Sequence, residues 1–347
     1  MRRPPLRTVA RLAGVSEPTV SRVFNGRLGV ATDTRQRVVD VLVSMGFTEI
    51  PEPHAARRNA VGIVVGELTN PVYPTLVHHL ARRLGARGLL ASAAVVDDQL
   101  CPEERCIDEF LATGVDAMVI IGGRHAEVDG PLDHYRSVIS ARVPLVFVNG
   151  RATDLPVAHV RCDEGAGARA GVAHLVGLGH TRVGAVLGSS RFVPVPRMIA
   201  AWRSTLLELG LVPDDDLLVE TAFTYEAAHR ATVGLLERGA TALITSNDLM
   251  ALGVVAAVAD EGRRVPGDVS VVGYDGCELS SLSTPRLTTL RQPFEEMARV
   301  VVDAVQRLRD SAEHVVFEPE LVVRDSTGPA PSLVATVAAD GSTARRR

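Results

Sequence analysis

The side chains with the most defined chemical use stand in the stretch SEPTVSRVFN (16–25), at the start of a short predicted helix. Ser16 lies just ahead of the helical run, placed to accept from the Thr19 N–H and cap it. Pro18 falls in the first turn, where its missing N–H costs least. Glu17, Pro18 and Arg22 are the exposed side chains at the N-terminal end of this helix. A guanidinium so placed can bind guanine O6 and N7 together, worth about 1–3 kcal/mol of discrimination. A carboxylate there can accept from cytosine N4, while a proline offers only apolar contact. The chemistry on offer is the reading of base edges in a duplex. A helix cap followed by solvated side chains is the plain alternative for the same residues.

Other candidate motifs lead away from chemistry. Gly165, Gly167 and Ala170 form GxGxxA opening a predicted helix, the spacing of a dinucleotide fingerprint. Asp163 and Glu164 beside it would repel a pyrophosphate, so no nucleotide is expected. His174 and His180, in HLVGLGH, are expected to cap or pack. Cys101, Cys106, Cys162 and Cys277 form no CxxC pair and no Cys/His cluster, which argues against zinc or a disulfide framework and suits a reducing compartment. No Ser-His-Asp order, paired catalytic carboxylates or metal-ligand spacing stands out, so neither an enzyme nor a cofactor is expected.

The charge distribution singles out the same N-terminal stretch. The chain of 347 residues has a net charge of −4, which by itself does not suggest a nucleic-acid binder. Residues 1–58, however, hold ten Arg against five acidic residues, a charge of +5, and leave −9 for residues 59–347. Every basic residue is Arg. A GC-rich genome accounts for that, and so does the fit of the guanidinium fork to phosphate and guanine. Arg7 and Arg11 interrupt any apolar run near the N-terminus, and no stretch reaches the 18 or so apolar residues of a membrane span, so a soluble cytosolic protein is expected.

The elements that must position these groups follow from periodicity. Helices are predicted at about Leu6 to Ala13, Glu17 to Asn25 and Asp33 to Met45, with Gly14 as the turn. Val9, Ala10, Val15, Val20, Val23, Val38, Val41 and Leu42 would form their shared core. This is a small all-α helix-turn-helix head over residues 1–46. Residues 47–60, with two prolines and no apolar periodicity, read as a linker. Beyond it, β-branched runs (61–65, 89–96, 117–121, 144–148, then 182–187, 217–220, 241–245, 269–274) alternate with amphipathic helices (near 74–87, 103–112, 197–209, 225–238, 248–261). Such alternation predicts an α/β body of two doubly wound parallel-sheet subdomains. A final helix at about 294–309 and a strand near 320–323 are expected to cross back between them. Residues 330–347 have little to pack and are expected to be disordered.

The runs TVARLAGVSEPTVSRVFNG (8–26) and GVATDTRQRV (29–38) resemble the DNA-binding head of the LacI/GalR family of bacterial transcriptional regulators. The resemblance continues through GIVVGELTNPVY (62–73), HLVGLGHTRV (174–183), TSNDLMALG (245–253), GRRVPGDVSVVGYD (262–275), STPRLTTLRQP (283–293) and PELVVRDSTGP (319–329). It implies a body of the periplasmic-binding-protein type, with one subdomain at about 61–159 plus 291–317 and the other at about 160–290 plus 318–329.

The resemblance also implies site residues. Ser16, Thr19, Ser21 and Asn25 match positions that touch DNA phosphates. Arg197 matches an arginine that grips effector hydroxyl or carboxylate groups, Asn247 and Asp275 match positions in the cleft between the subdomains, and Tyr73 and Phe223 match positions where an aromatic covers a ring. Asn149 stands where the family often has Asp, with one strong acceptor fewer. Each has a plain alternative: a helix cap for Asn247, a turn for Asp275, core packing for Phe223, an ion pair for Arg197. Pro5 replaces the usual Thr or Ser cap of the first helix, and HAARRNAVG (54–62) lacks the leucine that wedges into the minor groove. Arg57 and Arg58 are left either to grip the minor groove there or to serve as linker charge.

The expected function is therefore a sequence-specific transcriptional regulator, more often a repressor, controlled by a small-molecule effector, first of all a sugar, with a nucleoside or other metabolite still open. A homodimer is expected to present two heads about 34 Å apart to a near-palindromic operator. No leucine heptad follows residue 329 to suggest a tetramer. The runner-up is a sugar-binding protein of the periplasmic type without a DNA role; a doubly wound enzyme is the third reading.

Overall fold

The computed structural model describes residues 5–24, 30–47, 59–151, 154–306 and 313–331. Three short helices come first: α1 (Leu6–Ala13), α2 (Glu17–Phe24) and α3 (Thr32–Ser44). Pro5 caps α1 without a side-chain hydrogen bond, and its carbonyl accepts from the Thr8 and Val9 N–H groups. Gly14 ends α1 in the left-handed region (φ +67°), which turns the chain into α2 without a Cβ clash. Val9, Ala10, Ala13, Val20, Val23, Val38 and Leu42 form one small core, with Val15 and Val41 packed at its edge. Phe47 extends this core by an edge-to-face contact with Phe24, the ring centroids 6.1 Å apart. Residue 47 thus packs with the head rather than acting as linker.

The chain divides into two compact units, residues 1–162 with 293–317, and residues 163–292 with 318–347. The first unit's sheet contains β1 (Ala60–Val65), β2 (Leu90–Val95), β3 (Ala117–Ile121), β4 (Leu145–Val148), β5 (Ala158–Cys162) and β11 (His314–Phe317), ordered β11-β5-β4-β3-β1-β2 and parallel throughout. Helices α4 (Val72–Gly85), α5 (Glu103–Thr113), α6 (Tyr135–Ser140) and α12 (Phe294–Gln306) pack on it. Val64, Met118, Ile120 and Phe147 meet α5 and α6 on one face. Their neighbours Ile63, Val65, Val119 and Ile121 are equally buried, as a parallel sheet covered on both faces requires.

The second unit repeats the plan. Its sheet is ordered β12-β10-β9-β8-β6-β7, from β6 (Val183–Leu187), β7 (Leu218–Glu220), β8 (Ala242–Thr245), β9 (Ser270–Asp275), β10 (Thr288–Arg291) and β12 (Glu320–Val322). Only the β12 edge is antiparallel among the described pairs. Helices α7 (Glu164–Gly177) and α8 (Pro194–Glu208) bury Val172, Met198 and Trp202 against one face. Helices α9 (Tyr225–Glu237) and α10 (Asp248–Asp260) cover the other with Leu235, Met250 and Val254.

Strands β5, β10 and β11 and helix α6 escaped the periodicity reading. His159, Arg161, Thr288 and Thr289 break the apolar runs, and their polar atoms are satisfied by partners that only the fold supplies. His159 donates to the Asn149 carbonyl at 2.7 Å, and the Thr288 N–H donates to Ser326 Oγ at 2.8 Å. The C-terminal stretch is also better anchored than expected at its start, since the Ala330 N–H donates to the Leu178 carbonyl. Residues 332–347, and with them most of the expected tail, lie outside the described residues.

The head core is small enough for one truncation to undo it. Leu42→Ala should cost about 2–5 kcal/mol. Calorimetry should show the body's transition intact while operator binding is lost in a gel shift; a head that still binds normally would show that Leu42 is not central to its core.

Candidate functional site

Helix α2 presents the predicted DNA-reading residues. Glu17, Pro18 and Arg22 are exposed, while Val20 and Val23 on the opposite side are fully buried against α1 and α3. The Ser16 hydroxyl does cap the helix, accepting from the Thr19 N–H at 3.3 Å, and lies 2.8 Å from Thr19 Oγ1. Ser16 is exposed and Thr19 and Ser21 are half-buried beside it. The plain role of Ser16 as a cap is therefore realised, and it leaves the hydroxyls at the exposed end of the helix. Asn25, Arg57 and Arg58 lie outside the described residues.

The predicted effector residues all lie at or just beyond the carboxyl ends of parallel strands, the edge where α/β sheets hold ligands; Asp275 is the last residue of its strand and the others occupy loops or first helical turns. In the first unit, Tyr73 opens α4 after β1, and its ring lies over Gly122, the residue after β3. A Cβ on Gly122 (φ +66°) would come 2.8 Å from the Tyr73 hydroxyl, so the bare backbone makes room for the ring. Asn149 follows β4 with φ +61°, a conformation Asn tolerates better than most residues. Its N–H donates to the Val160 carbonyl at 2.9 Å and its carbonyl accepts from His159 Nε2. Its side-chain Oδ1 is buried and takes no hydrogen bond among the described residues.

In the second unit, Asp275 is the last residue of β9, and Asn247 and Gln292 lie just past the adjacent strands β8 and β10, so the three form a row. Asn247 is buried and caps α10, its Oδ1 accepting from the Met250 N–H at 2.7 Å. That cap occupies only the oxygen; Nδ2 is buried without a partner among the described residues. Gln292, which sequence reasoning did not single out, donates from Nε2 to Asp275 Oδ1 at 2.7 Å, and its Oε1 is likewise buried without a described partner. Two amides buried with one unmet atom each mark an edge prepared for a polar ligand. Gln292 sits in the quoted run LRQP, and only the register of β10 against β9 brings it to Asp275.

Phe223 stands beyond β7, its ring over Gly188 at the end of β6; a Cβ there would come 2.0 Å from the ring. It also meets Phe192 edge to face, centroids 5.7 Å apart, and packs against both cores of this unit. Arg197, in the first turn of α8, donates to Glu164 at 3.0 Å. The core and ion-pair readings of these two residues are thus present in the structure, at the same strand edge as the amide row.

Two buried carboxyls give this edge its electrostatics. Burial pushes Asp248 up to about 7, opposed by hydrogen bonds from the Thr289 hydroxyl and the Cys277 N–H. Asp275 is raised well above the usual carboxylate range, first by burial and then by the charge of Asp248, with the Gln292 amide opposing. Asp275 also holds φ +105°, a region costly for a residue with a Cβ.

The decoys resolve structurally. Asp163 caps α7, accepting from the Ala166 N–H, and Gly167 lets the helix approach Tyr274, whose ring a Cβ would meet at 2.6 Å. His180 is fully buried between Thr241, Ser270 and the Gly328 carbonyl, and His174 bonds Thr327, so both pin the chain's last described segment.

Asp275 sets a pH test. A carboxyl whose folded pKa exceeds its unfolded value holds its proton on folding, so its stabilising contribution is full below the unfolded value and declines as pH rises towards the folded value. Asp275→Asn keeps an oxygen for the Gln292 amide and removes this titration. The ligand-free variant should melt near the wild type at pH 4 and several degrees above it at pH 8, at about 2–4 °C per kcal/mol. An offset that does not change with pH would contradict the raised carboxyl.

Comparison with known proteins identifies the family. Residues 5–49 match the family model for bacterial regulatory proteins, lacI family, and residues 172–327 match that for the periplasmic binding protein-like domain. The chain is 35% identical to the HTH-type transcriptional regulator MalR of Streptomyces coelicolor over 334 residues, covering 94% of this chain and 97% of that protein. Its structure is similar to a transcriptional regulator CelR–cellobiose complex (TM-score 0.68, 30% identity, 93% of this chain and 100% of that one). It is also similar to the lac repressor dimer bound to operator and the anti-inducer ONPF (TM-score 0.66, 27% identity, 94% and 100%). The match of the head removes the reading as a binding protein without a DNA role, and the chain is a DNA-binding transcriptional regulator that belongs to the LacI family.

Proposed function

We propose that this regulator is a cytoplasmic homodimeric repressor whose α2 helices enter successive major grooves of a near-palindromic operator and whose effector is a sugar held by residues at the carboxyl-end strand edges of its body. The observation that carries the DNA half is the exposed Arg22 at the reading end of a capped helix, inside the segment matching the family's head. Arg22 reads guanine, Glu17 accepts from cytosine N4, and Pro18 makes apolar contact. Ser16, Thr19, Ser21 and Asn25 fix the register on phosphates. Arg57 and Arg58 are assigned to the minor groove in place of the missing leucine wedge.

The sugar half is supported by the composition of the strand edges. Asn149 and Asn247 each offer an unmet amide atom, Asp275 can donate a proton as well as accept, and Arg197 supplies a guanidinium. Such mixed donors and acceptors suit hydroxyls, and the half-buried rings of Tyr73 and Phe223 suit the apolar face of a pyranose. Cellobiose in the CelR structure makes disaccharides the first class to try. The effector works by binding two states of the body unequally and so shifting how the heads are presented.

Arg22→Ala should weaken binding to the operator upstream of the chain's own gene about 5- to 150-fold, the equivalent of 1–3 kcal/mol, and relax the preference at one base pair. Unchanged affinity and preference would remove its base-reading role. Because residues 59–347 carry −9, deletion of residues 1–58 should abolish binding across a salt titration; retained binding would place the DNA contacts elsewhere.

The effector is tested by melting the full chain with a panel of mono- and disaccharides, sugar phosphates and nucleosides. A sugar that raises the melting temperature should lose that effect in Arg197→Ala, since a ligand that binds the folded state stabilises it by mass action. A shift produced only by nucleosides would overturn the sugar assignment.

A further inference from the structure

Cys101 and Cys106 take no part in the proposed DNA-reading or effector residues, and their Sγ atoms lie 3.3 Å apart. Cys101 ends a short loop after β2 that folds back on itself: the Asp97 N–H donates to the Cys101 carbonyl at 2.9 Å and the Cys101 N–H to the Asp97 carbonyl at 2.8 Å. Asp97 Oδ1 further accepts from the Gln99 and Leu100 N–H groups. The loop is on the surface, with Leu100 75% exposed and Cys101 half-buried. Cys106 is buried in the first turns of α5, within the core against Ile107, Phe110 and Val64.

We propose that Cys101 and Cys106 form a reversible dithiol–disulfide pair, a modification site for oxidants of the disulfide class in the sensory body of this regulator. A disulfide requires the sulfurs at about 2.05 Å, so they must close by little more than 1 Å. Helix α5 does not have to move. Glu103, three residues before Cys106, holds the helix start in place by accepting from the Tyr135 hydroxyl, the Arg124 N–H and His134. The exposed loop that carries Cys101 supplies the movement.

The two thiols divide the reaction between them. Burial and the adjacent sulfur push Cys106 up to about 12, so it is the poorer nucleophile while Cys101 is a free thiol. Cys101, reachable from solvent, loses its proton to water and attacks a low-molecular-weight disulfide, releasing one thiol and leaving a mixed disulfide. Cys106 then displaces the second thiol, its proton passing to that leaving group. One external disulfide is reduced to two thiols, and two protein thiols are oxidised to one cystine.

The full chain, treated with millimolar glutathione disulfide, alkylated and digested without reduction, gives the test. The peptide spanning residues 101–106 should become resistant to alkylation and lighter by two hydrogens within minutes to hours, and dithiothreitol should reverse this. Cys106→Ala should trap a glutathione adduct on Cys101, and Cys101→Ala should leave Cys106 reduced. Full alkylation of both thiols in the treated wild type, an adduct on wild-type Cys101 that never resolves, or a crosslink between chains would each overturn the proposal. The wild-type map decides the matter even if the Cys106 variant folds poorly.

Discussion

A parallel sheet buried on both faces has one place for polar chemistry, which is beyond the carboxyl ends of its strands. Both units of this chain obey that constraint. Strands such as Ala117–Ile121 and Val183–Leu187 are apolar throughout, because every side chain meets a helix layer. A functional group placed within such a strand would be desolvated without a partner. Tyr73, Asn149, Arg197, Phe223 and Asn247 accordingly fall where a strand has just ended and a helix or turn begins, and Asp275 is the last residue of its strand. The glycines under the rings serve the same arrangement: Gly122 and Gly188 leave space that a Cβ would fill, so an aromatic can lie flat on the edge.

Placing groups there is not free of cost, and the cost is legible in the second unit. Asp248 and Asp275 are both buried, and the charge of Asp248 raises the difficulty of ionising Asp275. Asp248 is compensated by the Thr289 hydroxyl and the Cys277 N–H, whereas Asp275 has the Gln292 amide and an unfavourable backbone angle. Compensated, Asp248 reads as support for the turn after β9. Asp275 is left with less compensation, and one amide atom each of Asn247 and Gln292 is unmet among the described residues, which are the features on which the proposed ligand contacts rest. Sites of this kind lower the stability of the empty protein and gain it back on binding.

How far the sequence alone reached depends on where the relevant partners lie along the chain. The cap of α2 by Ser16, the left-handed turn at Gly14 and the shared valine core are local or helically periodic, and all three are visible in residues 6–42. The alternation of strands and helices is local too, which is why two parallel sheets could be expected. Strands β5 and β10 were not visible, because His159 and Thr288 look like loop residues until Asn149 and Ser326 arrive from distant positions. Gln292 is the clearest omission at the site. Nothing near it in sequence signals a role, and its link to Asp275 spans 17 residues across neighbouring strands. The decoy GxGxxA fails for the complementary reason: the spacing is local, but Gly167 faces Tyr274 of the sheet, Gly165 faces α8, and Asp163 already caps the helix.

Net charge misleads in the same way when it is averaged over elements that act separately. The total of −4 belongs to no surface of the molecule; the head segment carries +5 and the remainder −9. A duplex attracts the first and repels the second, and over about 8 Å at physiological salt neither effect reaches far. Affinity must therefore come from groups held directly against the phosphates, which favours a small head whose helix ends and guanidiniums are exposed. It also explains why an acidic body does no harm to a DNA-binding protein: its charge disfavours unspecific adhesion to nucleic acid while the strand edges remain available to an uncharged ligand. The arginine-only composition matters less than its placement, since Arg22 is exposed on α2 of the head while Arg83, Arg203, Arg264 and Arg286 are taken up in ion pairs on the body.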